Sequence, residues 1–190
     1  MNIKEGKYII RCFCFLNDDS TFSYLSGPPV GRGVHQSVEE SMTTCIYATV
    51  KNIVRADMRE KIKERHLEPE CFVQVIRRDN GTILLRQTAT GRYATSTQVQ
   101  TYSFMAGQEG DDPAPKISFF RYSRRPPADA AEFKLIAPTG DEADGVALLS
   151  MKNGCYVEIS AINYLHPVCE RISQLPNDSL FVFERRFGYF

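Results

Sequence analysis

The sequence contains no tryptophan, no long apolar run and no excess of either charge. Lysine and arginine together number 23, and aspartate and glutamate also number 23, so neither nucleic acid nor an anionic membrane is an expected partner. No stretch approaches the roughly 18 apolar residues that a membrane-spanning helix needs. The first residues lead directly into a strand-like pattern without a charged leader, which predicts a cytoplasmic protein.

Motifs for metals and cofactors are also scarce. The histidines His35, His66 and His166 lie far apart in sequence, and no C-x-x-C pair occurs, so neither a zinc site nor another cofactor is expected. Six cysteines stand at positions 12, 14, 45, 71, 155 and 169. Their even count permits disulfides, but in a cytoplasmic chain of 190 residues we expect them to be reduced and mostly buried.

Turn signals at short intervals indicate an all-β protein. Apolar residues make up 43% of the chain, which is enough for the core of one domain. Alternating apolar residues over 133–137 predict a half-buried strand, and Asn153-Gly154 predicts a hairpin turn. Counting such segments gives about ten to twelve strands, a number typical of a β-sandwich or a closed barrel.

An internal repeat favours the barrel. The segment ILLRQTATGRYATS at 83–96 aligns without a gap on VALLSMKNGCYVEI at 146–159, so that Tyr93 falls on Tyr156 and Gly91 on Gly154. Tyr24 takes the corresponding place in a first, weaker copy. The chain therefore reads as one domain, 1–190, built from three repeats. Their approximate bounds are 1–76, 77–136 and 137–190.

One segment departs from this pattern. Residues 52–67 carry apolar side chains or histidine at every fourth position from Val54 onward, with charges at most other positions. Asn52 suits the start of a helix, and Pro69 limits its end. We expect an inserted α-helix near 52–67, whose mildly basic outer face is solvated or, alternatively, meets an anionic partner.

The three repeats resemble a β-trefoil, and among trefoils the fascin and hisactophilin group. The resemblance rests on EFKLI at 132–136 followed by VALLSMKNGCYV at 146–157, and extends from residue 71 to 185. It implies a six-stranded barrel capped by three hairpins. It also implies a non-catalytic binding module, not an enzyme, that presents loops to a macromolecular partner. Among possible partners, actin or another protein is expected first.

A second resemblance concerns fungal trefoils. KEGKYIIR at 4–11 and FVQVIRRDNGTILLR at 72–86 are similar to strands of mushroom cysteine-protease inhibitors (mycocypins) and lectins. This resemblance implies two alternative functions. The second hypothesis is a protease inhibitor, and the third is a carbohydrate-binding lectin. Sugar sites of the ricin type use a Gln-x-Trp motif, so the missing tryptophan argues against the lectin.

The residue types that carry chemistry do not form a catalytic pattern. Cys155 or Cys169 could pair with His166 as thiol and imidazole, but no third group is placed to orient them, so structural cysteines are favoured. The acidic turn at 141–144 does not have the spacing of an EF-hand loop. The glycines at 27–33 lack the lysine and the helix of a phosphate-binding loop.

Arginines supply the sharpest binding hypothesis. The loops 27–33 and 123–130 each hold two prolines, so we expect them to dock with little loss of entropy and to contact the partner through Arg32, Arg124 and Arg125. Three arginine pairs also end or follow strands, at 77–78, 124–125 and 185–186. If the repeats are three-fold, these pairs gather at one end of the barrel; otherwise they are ordinary solvated strand ends.

Overall fold

A computed structural model describes residues 3–15, 21–27, 45–52, 67, 69–100, 116–123, 130–161, 163–169 and 174–186. These residues contain twelve strands: β1 (Gly6–Cys12), β2 (Thr21–Ser26), β3 (Tyr47–Asn52), β4 (Phe72–Arg77), β5 (Ile83–Gln87), β6 (Tyr93–Gln100), β7 (Lys116–Ser123), β8 (Phe133–Ile136), β9 (Ala147–Ser150), β10 (Cys155–Ile159), β11 (Leu165–Val168) and β12 (Phe181–Arg185). Short 3-10 helices span Phe13–Phe15, Pro69–Cys71, Glu142–Asp144 and Asn177–Ser179.

Six of the strands form a closed antiparallel ring. β1 pairs with β4, β4 with β5, β5 with β8, and β8 with β9, while β12 pairs with β1. An isolated bridge between Val146, just before β9, and Phe181 of β12 closes the ring. Closure leaves no unpaired edge within this part of the sheet, so the ring is a small β-barrel.

The remaining strands pair as three hairpins, β2–β3, β6–β7 and β10–β11. Backbone hydrogen bonds link the hairpins. The Ile46 amide donates to the Phe120 carbonyl at 2.8 Å, and the Leu165 amide donates to the Ile46 carbonyl at 2.9 Å. These three side chains are all buried. The hairpins therefore meet around one apolar cluster and cap the barrel, which gives a β-trefoil-like arrangement.

The same strand register occurs three times around the barrel. Between one unit and the next, the equivalent pairs are Val73 with Gln87, Phe133 with Ser150, and Phe181 with Cys12. Within each unit they are Tyr8 with Val73, Ile83 with Phe133, and Val146 with Phe181. All nine side chains are buried. Equivalent residues of the three units thus fill the barrel in layers, as side chains do in small closed barrels.

The gapless alignment made from sequence is confirmed by this register. Gly91 and Gly154 have nearly the same left-handed backbone, with φ of 69° and 68°. Each donates its amide hydrogen to the carbonyl four residues earlier, at 2.9 Å in both cases. Tyr93 and Tyr156 then lie opposite aligned residues of the preceding strand, Arg86 and Leu149. The division into repeats at 76 and 136 stays a prediction.

The ends of β1 and β3 place Cys14 and Asn52. β1 stops at Cys12, and Cys14 lies in the 3-10 helix Phe13–Phe15, although the Phe13 amide still donates to the Leu180 carbonyl at 3.1 Å, one pair beyond the β1–β12 ladder. Asn52 pairs with Thr21 as the last residue of β3. The predicted helix itself, at 53–66, lies outside the described residues.

The cysteine prediction is wrong for one pair and agrees with the structure for the rest. Cys155 and Cys169 form a disulfide, whereas Cys12, Cys45 and Cys71 are buried thiols and Cys14 is a half-buried thiol. The β10–β11 register is the reason, since Tyr156 faces Val168 and the two cysteines stand one step further along. Burial raises the pKa of Cys45 to about 11, which keeps that thiol protonated near neutral pH.

The barrel layers predict which truncations unfold the protein. Phe133→Ala and Phe181→Ala each remove a ring that is at most 2% exposed, so each should lower the free energy of unfolding by about 3–5 kcal/mol. Met151→Ala is the matched control, because Met151 is 50% exposed and its truncation should cost less than about 0.5 kcal/mol. Urea denaturation measures all three, and equal small effects would contradict the layered core.

Candidate functional site

Two of the three arginine pairs lie at one end of the barrel. Arg77 ends β4 and Arg185 ends β12, and both strands run antiparallel to β1, one on each side of it. Their ends therefore stand beside the start of β1, away from the end where β1 leads into the hairpin cap. We call the residues 3–7, 77–80 and 184–186 the arginine end.

The third pair, Arg124 and Arg125, lies outside the described residues, as does Arg32. Their predicted contact with a partner is therefore still a prediction. The pairs at 77–78 and 185–186 belong to the hypothesis that the arginine pairs gather as a basic surface at one end of the barrel, and the strand pairing brings these two pairs to the same end. Their place in the repeat is the signal that could locate these pairs from the sequence. A basic residue that ends the fourth strand of a repeat lies at the end of the barrel remote from the hairpins.

Backbone carbonyls hold the arginine side chains in place. The Arg77 Nη1 donates to the Ile3 carbonyl at 3.1 Å, and the Arg185 Nη2 donates to the Glu5 carbonyl at 3.2 Å. A carbonyl is a neutral acceptor, so these bonds orient the guanidinium groups without cancelling their charge. The two side chains are therefore held in a defined direction at the arginine end.

Carboxylates compensate other arginines nearby. Glu184 binds Arg11, which is buried, at 3.2 Å through Oε1 and Arg186 at 3.3 Å through Oε2. Arg78 lies 3.7 Å from Glu132, with its own side chain half exposed. A contact this long at an exposed site contributes little, so Arg78 keeps its capacity to bind another anion.

A cleft of about 320 Å³ lies where β4 ends and the turn to β5 begins. Its lining residues are Arg77, Arg78, Asp79 and Asn80. The turn needs a left-handed residue, which Gly81 supplies with φ of 82°. Two guanidinium groups, a carboxylate and an amide in one open cleft suit a polar partner group that carries negative charge.

Glu132, which directly precedes β8, ties this turn to a segment some fifty residues later in the chain. Its Oε2 accepts from Asn80 Nδ2 at 3.0 Å and from Thr82 Oγ1 at 2.8 Å. Thr82 also lies 2.6 Å from Asn80 Oδ1, and because a hydroxyl has a single hydrogen it serves one acceptor at a time. The bonds from Asn80 and Thr82 hold the pKa of Glu132 below its usual value.

A second polar cluster lies on the β10–β11 hairpin. Glu158 is 3.4 Å from the His166 Nε2 and accepts from the Ser179 Oγ at 3.3 Å. Serine and histidine thus both contact the carboxylate and do not contact each other, so the imidazole is not placed to activate the hydroxyl. The disulfide also removes both thiols from the Cys155 or Cys169 pairing with His166 that the sequence suggested.

The acidic turn is engaged in its own structure. Asp141 accepts from the Ala143 amide at 2.9 Å, and Asp144 accepts from the Thr139 hydroxyl at 3.0 Å. Within the part of the chain that the structure describes, no three His, Cys, Asp or Glu side chains converge as a metal site would require. The same residues include no helix of sufficient length and apolar character to cross a membrane.

Comparisons with known proteins bear on the fold. No protein-family model matches the sequence, and no curated protein matches it. Among solved structures, one similar chain is the GlcNAcα1-4Gal-releasing endo-β-galactosidase from Clostridium perfringens, with 11% identity, a TM-score of 0.54 and coverage of 97% of this chain. This chain spans only 34% of that enzyme.

Two further structures cover 95% of this chain. A Caenorhabditis elegans protein of unknown function is 13% identical with a TM-score of 0.51, and this chain covers 94% of it. The designed three-fold symmetric protein ThreeFoil is 12% identical with a TM-score of 0.48, at 99% coverage of its own length. At such identities the likeness concerns the fold alone.

The hydrogen bonds to Glu132 predict a dependence of stability on pH. Because they lower its folded-state pKa below 4.5, their contribution is present above that value and is lost as pH falls through the folded pKa. Glu132→Gln should therefore melt below the wild type at neutral pH, and the two melting temperatures should converge in acid. Thermal melts from neutral to acid pH measure this, with Glu5→Gln, an exposed carboxylate, as control. Parallel curves for wild type and Glu132→Gln would contradict the assignment.

Proposed function

We propose that this protein is a β-trefoil that acts as a non-catalytic binding module, and that it holds an acidic protein surface at its arginine end. The observation that carries the proposal is the convergence of Arg77, Arg78 and Arg185 on one barrel end, although the first two are separated from the third by more than half of the chain. We place actin or another protein first among partners because of the resemblance to the fascin group.

The chemistry of the three side chains supports a carboxylate-bearing partner. A guanidinium group offers several donors in one plane, which match the two oxygens of a carboxylate. Arg77 and Arg185 are already oriented by carbonyl groups, so less side-chain entropy is lost when a partner docks. Fixed, exposed arginines are the residue type that most often anchors a protein interface.

The scaffold also suits such a role. The inward faces of the barrel strands are occupied by the three-fold layers of apolar and small polar residues. Residues at the barrel end lie beyond these layers, so they can be chosen for a partner without cost to the core. Placing the anchors at strand ends also keeps them rigid, which binding sites on long loops achieve less well.

The central test is actin binding by variants of the arginine end. Arg77→Ala with Arg78→Ala should weaken co-sedimentation with filamentous actin by more than ~1 kcal/mol, or about fivefold, if either residue is an anchor. Melting should change little, since exposed charges typically shift stability by less than about 0.5 kcal/mol. Lys134→Ala, an exposed cation on β8, is the matched control and should bind like the wild type.

Two further experiments test the alternative binding surface and the alternative function. A variant with Arg32→Ala, Arg124→Ala and Arg125→Ala tests the loops predicted from sequence, and loss of binding confined to it would move the interface there. Papain inhibition by the wild-type protein tests the protease-inhibitor alternative. Inhibition of papain without sedimentation on actin would overturn actin as partner, and a wild-type affinity in the arginine-end variant would overturn that surface.

A further inference from the structure

The disulfide closes the open end of the β10–β11 hairpin and has one accessible side. Cys155 begins β10 and is 1% exposed, whereas Cys169 follows β11 and is exposed. The two Cα atoms are 4.2 Å apart. A thiol from solution therefore approaches the bridge from the Cys169 side, because Cys155 is buried.

The other described cysteines do not share this exposure. Cys12, Cys45 and Cys71 are buried thiols, and Cys14 is half-buried. Burial holds the pKa of Cys45 at about 11 and raises that of Cys12 further, so neither forms an appreciable thiolate near neutral pH. Among the described residues the chain thus keeps its buried thiols unreactive and presents one sulfur at the surface.

We propose that Cys169 is a thiol-exchange site, at which a low-molecular-weight or protein thiol forms a mixed disulfide with this protein. The attacking thiolate forms a new S–S bond to the Cys169 sulfur, the bond to Cys155 breaks, and the Cys155 sulfur leaves with the electron pair and takes up a proton. A second thiol can then attack the mixed disulfide. The net change oxidises two thiols to one external disulfide and reduces the protein bridge to two thiols.

The surroundings of Cys155 bear on the reverse step, in which its sulfur would attack the mixed disulfide. Its Sγ lies 3.4 Å from the Asn153 carbonyl oxygen, which can accept from the S–H once the bond has broken. A carbonyl acceptor and burial both favour the neutral thiol over the thiolate. Because the thiolate is the attacking form, return of Cys155 onto the mixed disulfide is slow and the adduct at Cys169 persists.

The rest of the hairpin does not depend on the bridge. Four residue pairs of the β10–β11 ladder remain, and Ser179 still bonds Glu158 from outside the hairpin. Exchange should therefore leave the protein folded and lower its melting temperature by several degrees, through loss of the loop constraint. This separates exchange on the folded protein from exposure of cysteines by unfolding.

Reduced glutathione is the probe, applied to the folded protein at neutral pH and followed by acid quenching, intact mass and peptide mapping. The expected product carries one glutathione on Cys169 and a thiol at Cys155. When oxidised glutathione is added, the Cys155→Ser variant should gain one glutathione on Cys169. The Cys169→Ser variant should gain none on Cys155. An adduct on Cys155 or on Cys14 in place of Cys169, or exchange that requires denaturant, would overturn the proposal.

Discussion

Closure of the barrel with one register, repeated three times, is the constraint on which the rest of the structure depends. Once Val73, Phe133 and Phe181 occupy equivalent inward positions, the faces and ends of all six barrel strands are fixed. A slip of one residue in any strand would turn its apolar side chains outward, which is why the register is strongly specified. Surface residues acquire their positions as a consequence of this packing.

Both candidate sites follow from register. The arginine end exists because β4 and β12 flank β1 and finish beside its first residues. The exchangeable disulfide exists because the β10–β11 ladder brings Cys155 opposite Cys169 at the open end of a hairpin. Neither depends on a sequence motif. A binding surface and a redox site can therefore change in such a fold without disturbing the three-fold core.

Predictability from sequence differed between the parts of the molecule. The alignment of Tyr93 with Tyr156 and the turn at Asn153-Gly154 were readable because period-two alternation and left-handed glycines leave local signals. The role of Glu132 was not readable, since it bonds a turn some fifty residues away in the chain. Its side chain carries no local pattern that distinguishes it from other surface carboxylates.

By itself the sequence determined that the chain is all-β, repetitive and closed by short turns, because backbone propensity and hydrophobic alternation act over a few residues. Only the tertiary structure decided which arginines meet, which two of six cysteines bond and where β1 and β3 end. These outcomes depend on strand pairing between residues far apart in the chain. The free energy of such pairing comes from the shared core, which no local segment contains.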